Sequence, residues 1–266
     1  MKVLYVGDVH AKPKIIEIVK KVQEKHKFDK IVFVGDYVDD WSVVPQDNID
    51  ILEKILEFKR DNMDLVTLLL GNHELSYLGH PCSGHKKSFE TQELLRKNIK
   101  CFDLVHQVDR VVATHGGFIY NWSELVKTKF GSFFPHLDLN DKLHSLDDDL
   151  LEYLSIASYT SGGSSDCASP LWARPDDHKR YAMIDEPGLE ETIQVVGHTP
   201  IQYPIETCMA YNIYYVDTFS SFRDGRSIGC QDLLVYDTCY EAFSYLEPYN
   251  DYEEIKYGVK GEVKYD

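Results

Sequence analysis

Seven short runs of apolar, largely β-branched residues punctuate the chain: Val3 to Val6, Ile31 to Val34, Leu65 to Leu70, Val111 to Ala113, Ile193 to Val196, Ile213 to Val216 and Leu233 to Tyr236. Their hydrophobicity is continuous rather than alternating, which predicts strands covered on both faces. Between the first three runs the period changes to that of a helix. Pro13 suits a first helical turn and places Ile15, Ile16, Val19 and Val22 on one face, and Ile51, Leu52, Ile55 and Phe58 repeat the pattern. A third helix is expected from Asp141 to about Ser155, with Leu143, Leu146, Leu150 and Leu154 as its stripe. The order β-α-β-α-β predicts a layered α/β domain.

From about 121 to 187 the periodicity loosens into helical pieces, the flexible Ser161-Gly162-Gly163-Ser164-Ser165 and Leu171-Trp172-Ala173-Arg174-Pro175. This segment is read as an insertion or lid within one domain spanning 1–266, because chemically suggestive residues lie on both sides of it. After Pro248 the chain alternates Tyr, Lys and Glu with little apolar content, which predicts a peripheral strand or a frayed end.

Chemistry-bearing residues cluster just beyond the strands. The runs lead into Gly7-Asp8-Val9-His10, Gly35-Asp36-Tyr37-Val38-Asp39-Asp40, Gly71-Asn72-His73-Glu74, Thr114-His115-Gly116-Gly117 and Gly197-His198-Thr199-Pro200. Ligands of α/β sheets bind beyond the carboxyl ends of the strands, so these segments are expected to converge. Together they offer two carboxylates, one amide oxygen and three imidazoles: Asp8, His10, Asp36, Asn72, His115 and His198. That is too many donors for one catalytic metal with an open position and fits two metals sharing a carboxylate. Oxygen and nitrogen donors without thiolate favour Mn, Fe, Zn, Co or Ni over Ca.

Composition narrows the picture further. With 43% hydrophobic and 27% charged residues the chain is expected to be globular, not disordered. Its 28 Lys and Arg against 44 Asp and Glu give a net charge of −16, which excludes general nucleic-acid binding through the phosphate backbone. The apolar stretch at the N-terminus meets Asp8 too early for a signal-peptide core, and no apolar run approaches a membrane span. A cytoplasmic protein with no membrane partner is expected. The 6 cysteines form no Cys-x-x-Cys pair, so buried reduced thiols are expected rather than a disulfide framework or a cysteine zinc site.

In this order the five blocks resemble the calcineurin-like metallophosphoesterases. The forms Gly-Asp-x-Val-Asp, Gly-Asn-His-Glu, His-Gly-Gly and Gly-His-Thr-Pro are closest to the phosphoprotein phosphatase branch, which includes bacteriophage-type protein phosphatases and symmetrical diadenosine tetraphosphatases. Val216-Asp217-Thr218 also resembles a family strand end. The resemblance implies a four-layer αββα sandwich with two mixed β-sheets flanked by helices. It places Asp8, His10 and Asp36 on a first metal and Asp36, Asn72, His115 and His198 on a second, with Asp36 as the bridge. A metal-bridging hydroxide is the implied nucleophile, His73 the general acid and Asp39 its carboxylate partner. Two divalent ions, manganese foremost, are the implied cofactors.

The chain departs from the family pattern at two positions. Asp40 stands where an arginine usually grips phosphate, and Leu70 where another often precedes Gly-Asn-His. Arg174, in a segment similar to the Trp-x-Arg of the bacteriophage-type phosphatases and tetraphosphatases, is the expected phosphate clamp, with Asn72 also touching substrate. The segment from Gly79 to Lys87, which contains His80, Cys82, His85 and Lys86, is expected to border the site. A phosphomonoesterase of protein-phosphatase type is the leading expectation, acting on a phosphoprotein or a nucleotide. A nucleotide phosphodiesterase or dinucleoside polyphosphate hydrolase is the alternative, favoured by the carboxylate at Asp40. A non-catalytic partner-binding scaffold of the same fold is a third reading, opposed by the competent residue at every ligand position.

Overall fold

The computed structural model of the protein describes residues 1–247 and 256–257, apart from 42, 80–87, 135–136, 182–190 and 204–211. In chain order its first half runs β1 (Lys2–Val6), α1 (Pro13–His26), β2 (Lys30–Phe33), α2 (Pro45–Asp61), β3 (Val66–Leu69), α3 (Asn72–Tyr77), α4 (Phe89–Lys97), β4 (Phe102–Asp103), β5 (His106–Val108) and β6 (Val111–Thr114). It continues with α5 (Tyr120–Phe130), α6 (Leu139–His144), α7 (Asp148–Leu154), α8 (Pro175–Arg180), β7 (Ile193–Val196), β8 (Ile213–Tyr215), β9 (Leu233–Asp237), β10 (Ala242–Leu246) and β11 (Lys256–Tyr257).

Two mixed sheets result, flanked by helices. One has the order β11-β10-β9-β1-β2-β3-β4 and the other β5-β6-β7-β8. β1, β2, β3 and β4 are parallel, as are β6, β7 and β8, so within each sheet the carboxyl ends of the motif-bearing strands share one edge. Alternate residues of each strand serve different layers. Val3, Tyr5, Val32 and Val34 pack with Val111, Ala113 and Val195 between the sheets. Leu4, Val6, Ile31 and Phe33 face the other way, onto Ile15, Ile16, Val19, Ile51, Leu52 and Ile55 of α1 and α2. This two-sided burial explains the continuous runs, and all seven predicted runs are strands within a residue or two at their ends.

The third predicted helix is corrected. It is two helices, α6 and α7, separated at Ser145 to Asp147, where Leu146 takes a left-handed φ of 52°. Asp147 causes the break: its carboxylate caps α7 by accepting the Leu150 N–H at 2.8 Å, a role incompatible with a helix interior. Leu143, Leu150 and Leu154 stay buried as the stripe predicts. The short β4 and β5 and the late β10 escaped the pattern, being brief or broken by polar residues. β11 does lie at a sheet edge, paired to β10. The expectation of buried thiols is also corrected: Cys101, Cys167 and Cys230 are free but only half-buried and Cys239 is exposed, while Cys82 and Cys208 lie outside the described residues. Among the described residues no helix is long and apolar enough to cross a membrane.

Candidate active site

The five strand ends meet in one cleft of about 400 Å³, lined by His10, Asp36, Asp39, Asp40, Asn72 and His73 on one side and Trp172, Arg174, His198, Asp217, Ser220 and Ser221 on the other. Asp36 is its centre. Asp36 Oδ2 lies 3.3 Å from His115 Nε2, 3.8 Å from His73 Nε2 and 3.9 Å from His10 Nε2. Asn72 Oδ1 lies 2.9 Å from His115 Nε2, and Asp8 Oδ2 lies 3.7 Å from His10 Nε2. The six predicted donor residues are therefore brought together, although 190 residues separate Asp8 from His198.

The imidazoles are oriented by the backbone. His115 Nδ1 lies 2.8 Å from the Val34 carbonyl and His10 Nδ1 2.8 Å from the Asp39 carbonyl, so each ring donates there and turns Nε2 inward, where the His115 Nε2 faces Asp36 and Asn72 and would ligate a cation on giving up its proton. A ligating histidine is characteristically held this way. His198 Nε2 is buried with no hydrogen-bond partner among the described residues, while its backbone N–H donates to Asp8 at 3.1 Å. Two groups, His10 with Asp36 and His73, and Asp36 with His115 and His198, each bring their donor atoms within 4.8 Å of one another. Asp8, Asp36, Asp39, Glu74 and Asp217 are buried within or beside the cleft, with Arg174 as the cationic side chain among its lining residues. Such a concentration of buried carboxylate fits a site that receives cations.

The charges act on one another as the geometry requires. Burial works against ionisation of Asp36, but His115 and His73 outweigh it and hold the carboxyl well below its usual range. Burial likewise opposes protonation of His115, and Asp36 overrides it, raising His115 to about 10. Asp8 is pushed well above the usual carboxylate range by burial and by Asp217, and burial brings His10 down to about 4. For His73 burial is outweighed by Asp36 and Asp39, which raise it.

Backbone strain accompanies this convergence. His10, Asp36, Asp39 and His198 all have positive φ, between 45° and 62°, at a cost of order 1 kcal/mol each for a residue with a side chain. The strands end in left-handed turns that swing these side chains over the sheet edge. Glycine is needed beside them: a Cβ on Gly71 would collide with Asp36 Oδ1, and one on Gly197 with Asp8 Oδ1.

Glu74 holds the strained turn, a role the residue pattern did not reveal. Its Oε1 accepts from the Tyr37 and Val38 N–H groups at 2.8 and 3.1 Å, and its Oε2 from those of Asp36 and Gly71 at 3.0 Å each. Glu74→Gln replaces one acceptor oxygen by a donor facing amide donors. The expected result is a loss of about 2–4 kcal/mol of stability and a metal affinity lower by about 10–100-fold, read from urea unfolding and metal titration. Wild-type values in both would remove Glu74 from this role.

The predicted His73 and Asp39 pair is present, with Nδ1 and Oδ2 3.3 Å apart. Asp39 Oδ1 accepts from Asn48 Nδ2 at 2.8 Å and from the Tyr77 hydroxyl at 2.9 Å. Neither Asn48 nor Tyr77 stood out in the sequence; the structure places them in α2 and α3. Arg174 lies on the cleft wall, with Nη1 3.4 Å from the His198 carbonyl and 3.3 Å from Thr199 Oγ1, and Nε 3.2 Å from Ser161 Oγ. Asp217 closes the floor, accepting from the Ser220 amide and hydroxyl. Asp40, in the place where the family usually has an arginine, lines the cleft, and Lys12 Nζ lies 3.0 Å from its Oδ2, a counter-charge the sequence did not show. The segment from His80 to Lys87 lies outside the described residues.

The calcineurin-like phosphoesterase family model matches residues 1–221, spanning all five strand ends. The chain belongs to this family. It is accordingly a phosphoesterase, a hydrolase of a metal-dependent family. Solved structures of similar fold include a cold-active protein tyrosine phosphatase, 20% identical over 96% of this chain and 78% of that one with a TM-score of 0.64. Another is the cold-active protein tyrosine phosphatase of a psychrophilic Shewanella, 18% identical over 96% and 80% with a TM-score of 0.57. A protein serine/threonine phosphatase from Saccharomyces cerevisiae is 14% identical over 100% and 81% with a TM-score of 0.51. No curated protein matches this phosphoesterase.

Proposed function

We propose that this phosphoesterase is a phosphomonoesterase of the phosphoprotein phosphatase branch that works with two divalent cations, manganese foremost. The observation that carries the reading is the ring of inward-facing Nε2 atoms around Asp36, with the buried His198 Nε2, unpartnered among the described residues, beside it. Asp8, His10 and Asp36 would hold one cation, and Asp36, Asn72, His115 and His198 the other. When bound, the cations supply positive charge to the phosphoryl oxygens and lower the pKa of coordinated water.

The protein's own residues do the rest. Arg174 directs its guanidinium along the cleft wall, where it binds a phosphoryl group and turns it toward Asp36. His73, whose pKa Asp36 and Asp39 raise against the effect of burial, is placed to deliver a proton to the leaving oxygen. Asp39 is fixed by Asn48 and Tyr77, so it holds the imidazole without itself moving. The segment at 121–187, whose described residues include α6, α7 and α8 and most of α5, would be an insertion that brings Trp172 and Arg174 to the cleft. The tyrosine and serine/threonine phosphatases of similar fold support a monoester substrate.

The test is to strip the protein of metal, restore Mn, Fe, Zn, Co or Ni singly, and offer a phosphomonoester, a phosphodiester and a dinucleoside polyphosphate. Metal-dependent turnover greatest on the monoester is expected. No hydrolysis of the monoester with any metal would overturn the reading.

A further inference from the structure

We infer that Lys12 and Asp40 form a charge-balancing pair at the rim of the phosphate cleft, through which Lys12 sets the charge of the ester that the site accepts. The inference rests on the phosphoester reading of this cleft and adds a determinant of substrate charge to it.

Lys12 immediately precedes α1, and its Nζ is buried 3.0 Å from Asp40 Oδ2. Asp40 also joins three loops. Its Oδ1 accepts the Trp41 N–H at 2.7 Å and its Oδ2 accepts from Ser221 Oγ at 3.3 Å, while the Trp41 indole donates to the Ser221 carbonyl at 3.2 Å. Asp40 is thereby fixed facing a cleft that already contains Asp36, Asp39 and Asp217. Without Lys12 a fourth carboxylate would stand uncompensated where phosphoryl oxygens must enter. A monoester dianion would feel that charge about twice as strongly as a diester monoanion, since Coulomb energy scales with the product of charges.

Opposite changes at the two positions should therefore move the preference in opposite directions. Lys12→Met bares Asp40 and is expected to lower the monoester-to-diester ratio of kcat/KM by roughly tenfold. Asp40→Asn leaves the Lys12 ammonium unopposed and is expected to raise it by a similar factor, provided the amide keeps the bonds to Trp41 and Ser221. The double variant removes both charges and should return the ratio close to that of the wild type. A purely structural pair predicts something else, namely equal losses on both substrates.

The experiment measures this ratio for the wild type and the three variants with metal saturating. In parallel, binding of inorganic phosphate at about pH 8, where it is a dianion, is compared by calorimetry with binding of dimethyl phosphate, a monoanion. Opposed shifts that cancel in the double variant, in turnover or in binding, establish the pair. A ratio unchanged in both single variants, or shifted the same way, overturns it, and Asp40→Asn decides alone if Lys12→Met does not fold. If the wild type hydrolyses neither ester yet binds phosphate with this dependence on Lys12 and Asp40, the hydrolase reading falls and the pair stands.

Discussion

Asp36→Ala is expected to reduce bound metal to less than half of the wild-type content and to lower kcat by at least about 10³-fold. The reason is position. Asp36 Oδ2 is within 3.9 Å of three imidazole nitrogens, and its Oδ1 accepts the His73 N–H at 3.0 Å. Asp36 belongs to both groups of clustered donor atoms, with His10 and His73 and with His115 and His198, so its removal is expected to damage both halves of the site. Metal analysis on protein refolded or purified under identical conditions reads this directly. Equal metal content in the variant and the wild type would contradict the sharing of Asp36 between two sites. Metal-free Asp36→Ala protein is expected to be less stable than metal-free wild type, because the buried His115 and the His73 N–H lose their carboxylate partner, yet to stay folded, because Glu74 anchors the turn at 36–38. A cooperative unfolding transition alongside lost metal would separate metal loss from unfolding.

The second large effect is expected at His73. His73→Ala should retain metal and lose about 10²–10⁴-fold in kcat on an alkyl phosphate, the usual worth of a general acid. The loss should shrink on p-nitrophenyl phosphate, whose leaving group departs without a proton. Asp39→Asn should fall between the wild type and His73→Ala, since it weakens the support for imidazolium without removing the proton donor. His73 Nε2 also lies 3.8 Å from Asp36 Oδ2, in a group with His10 that could itself take a cation. Metal analysis of His73→Ala separates the roles: reduced metal, or identical losses on alkyl and aryl esters, would make His73 a ligand or a phosphate-positioning residue.

Much of this site was legible along the chain because its chemistry is carried by strand ends. A continuous apolar run followed by Gly-Asp or Gly-Asn-His identifies both the strand and the residue that leaves its carboxyl edge, and parallel strands must present those edges together. Asp8, His10, Asp36, Asn72, His115 and His198 needed no further information to be recognised as one group. The glycines beside them carried the same message, since only a missing Cβ lets Asp36 and Asp8 approach Gly71 and Gly197 so closely.

What remained hidden depends on distances across the fold. Lys12 and Asp40 are separated by α1 and β2, and nothing in their spacing shows that they neutralise one another. Asn48 and Tyr77 look like ordinary helix positions until α2 and α3 close around Asp39. The capacity of Glu74 to hold four amide groups likewise emerges only once the turn at 36–38 lies over the start of α3. The break between α6 and α7 was encoded at Asp147, but its leucine stripe is compatible with one helix, and the cap wins because it satisfies an amide the stripe cannot. The sequence alone therefore determined which side chains leave the strands and toward which edge. Tertiary structure decided their charges and partners, because hydrogen bonding and Coulomb attraction fall off with distance in space and register no separation along the chain.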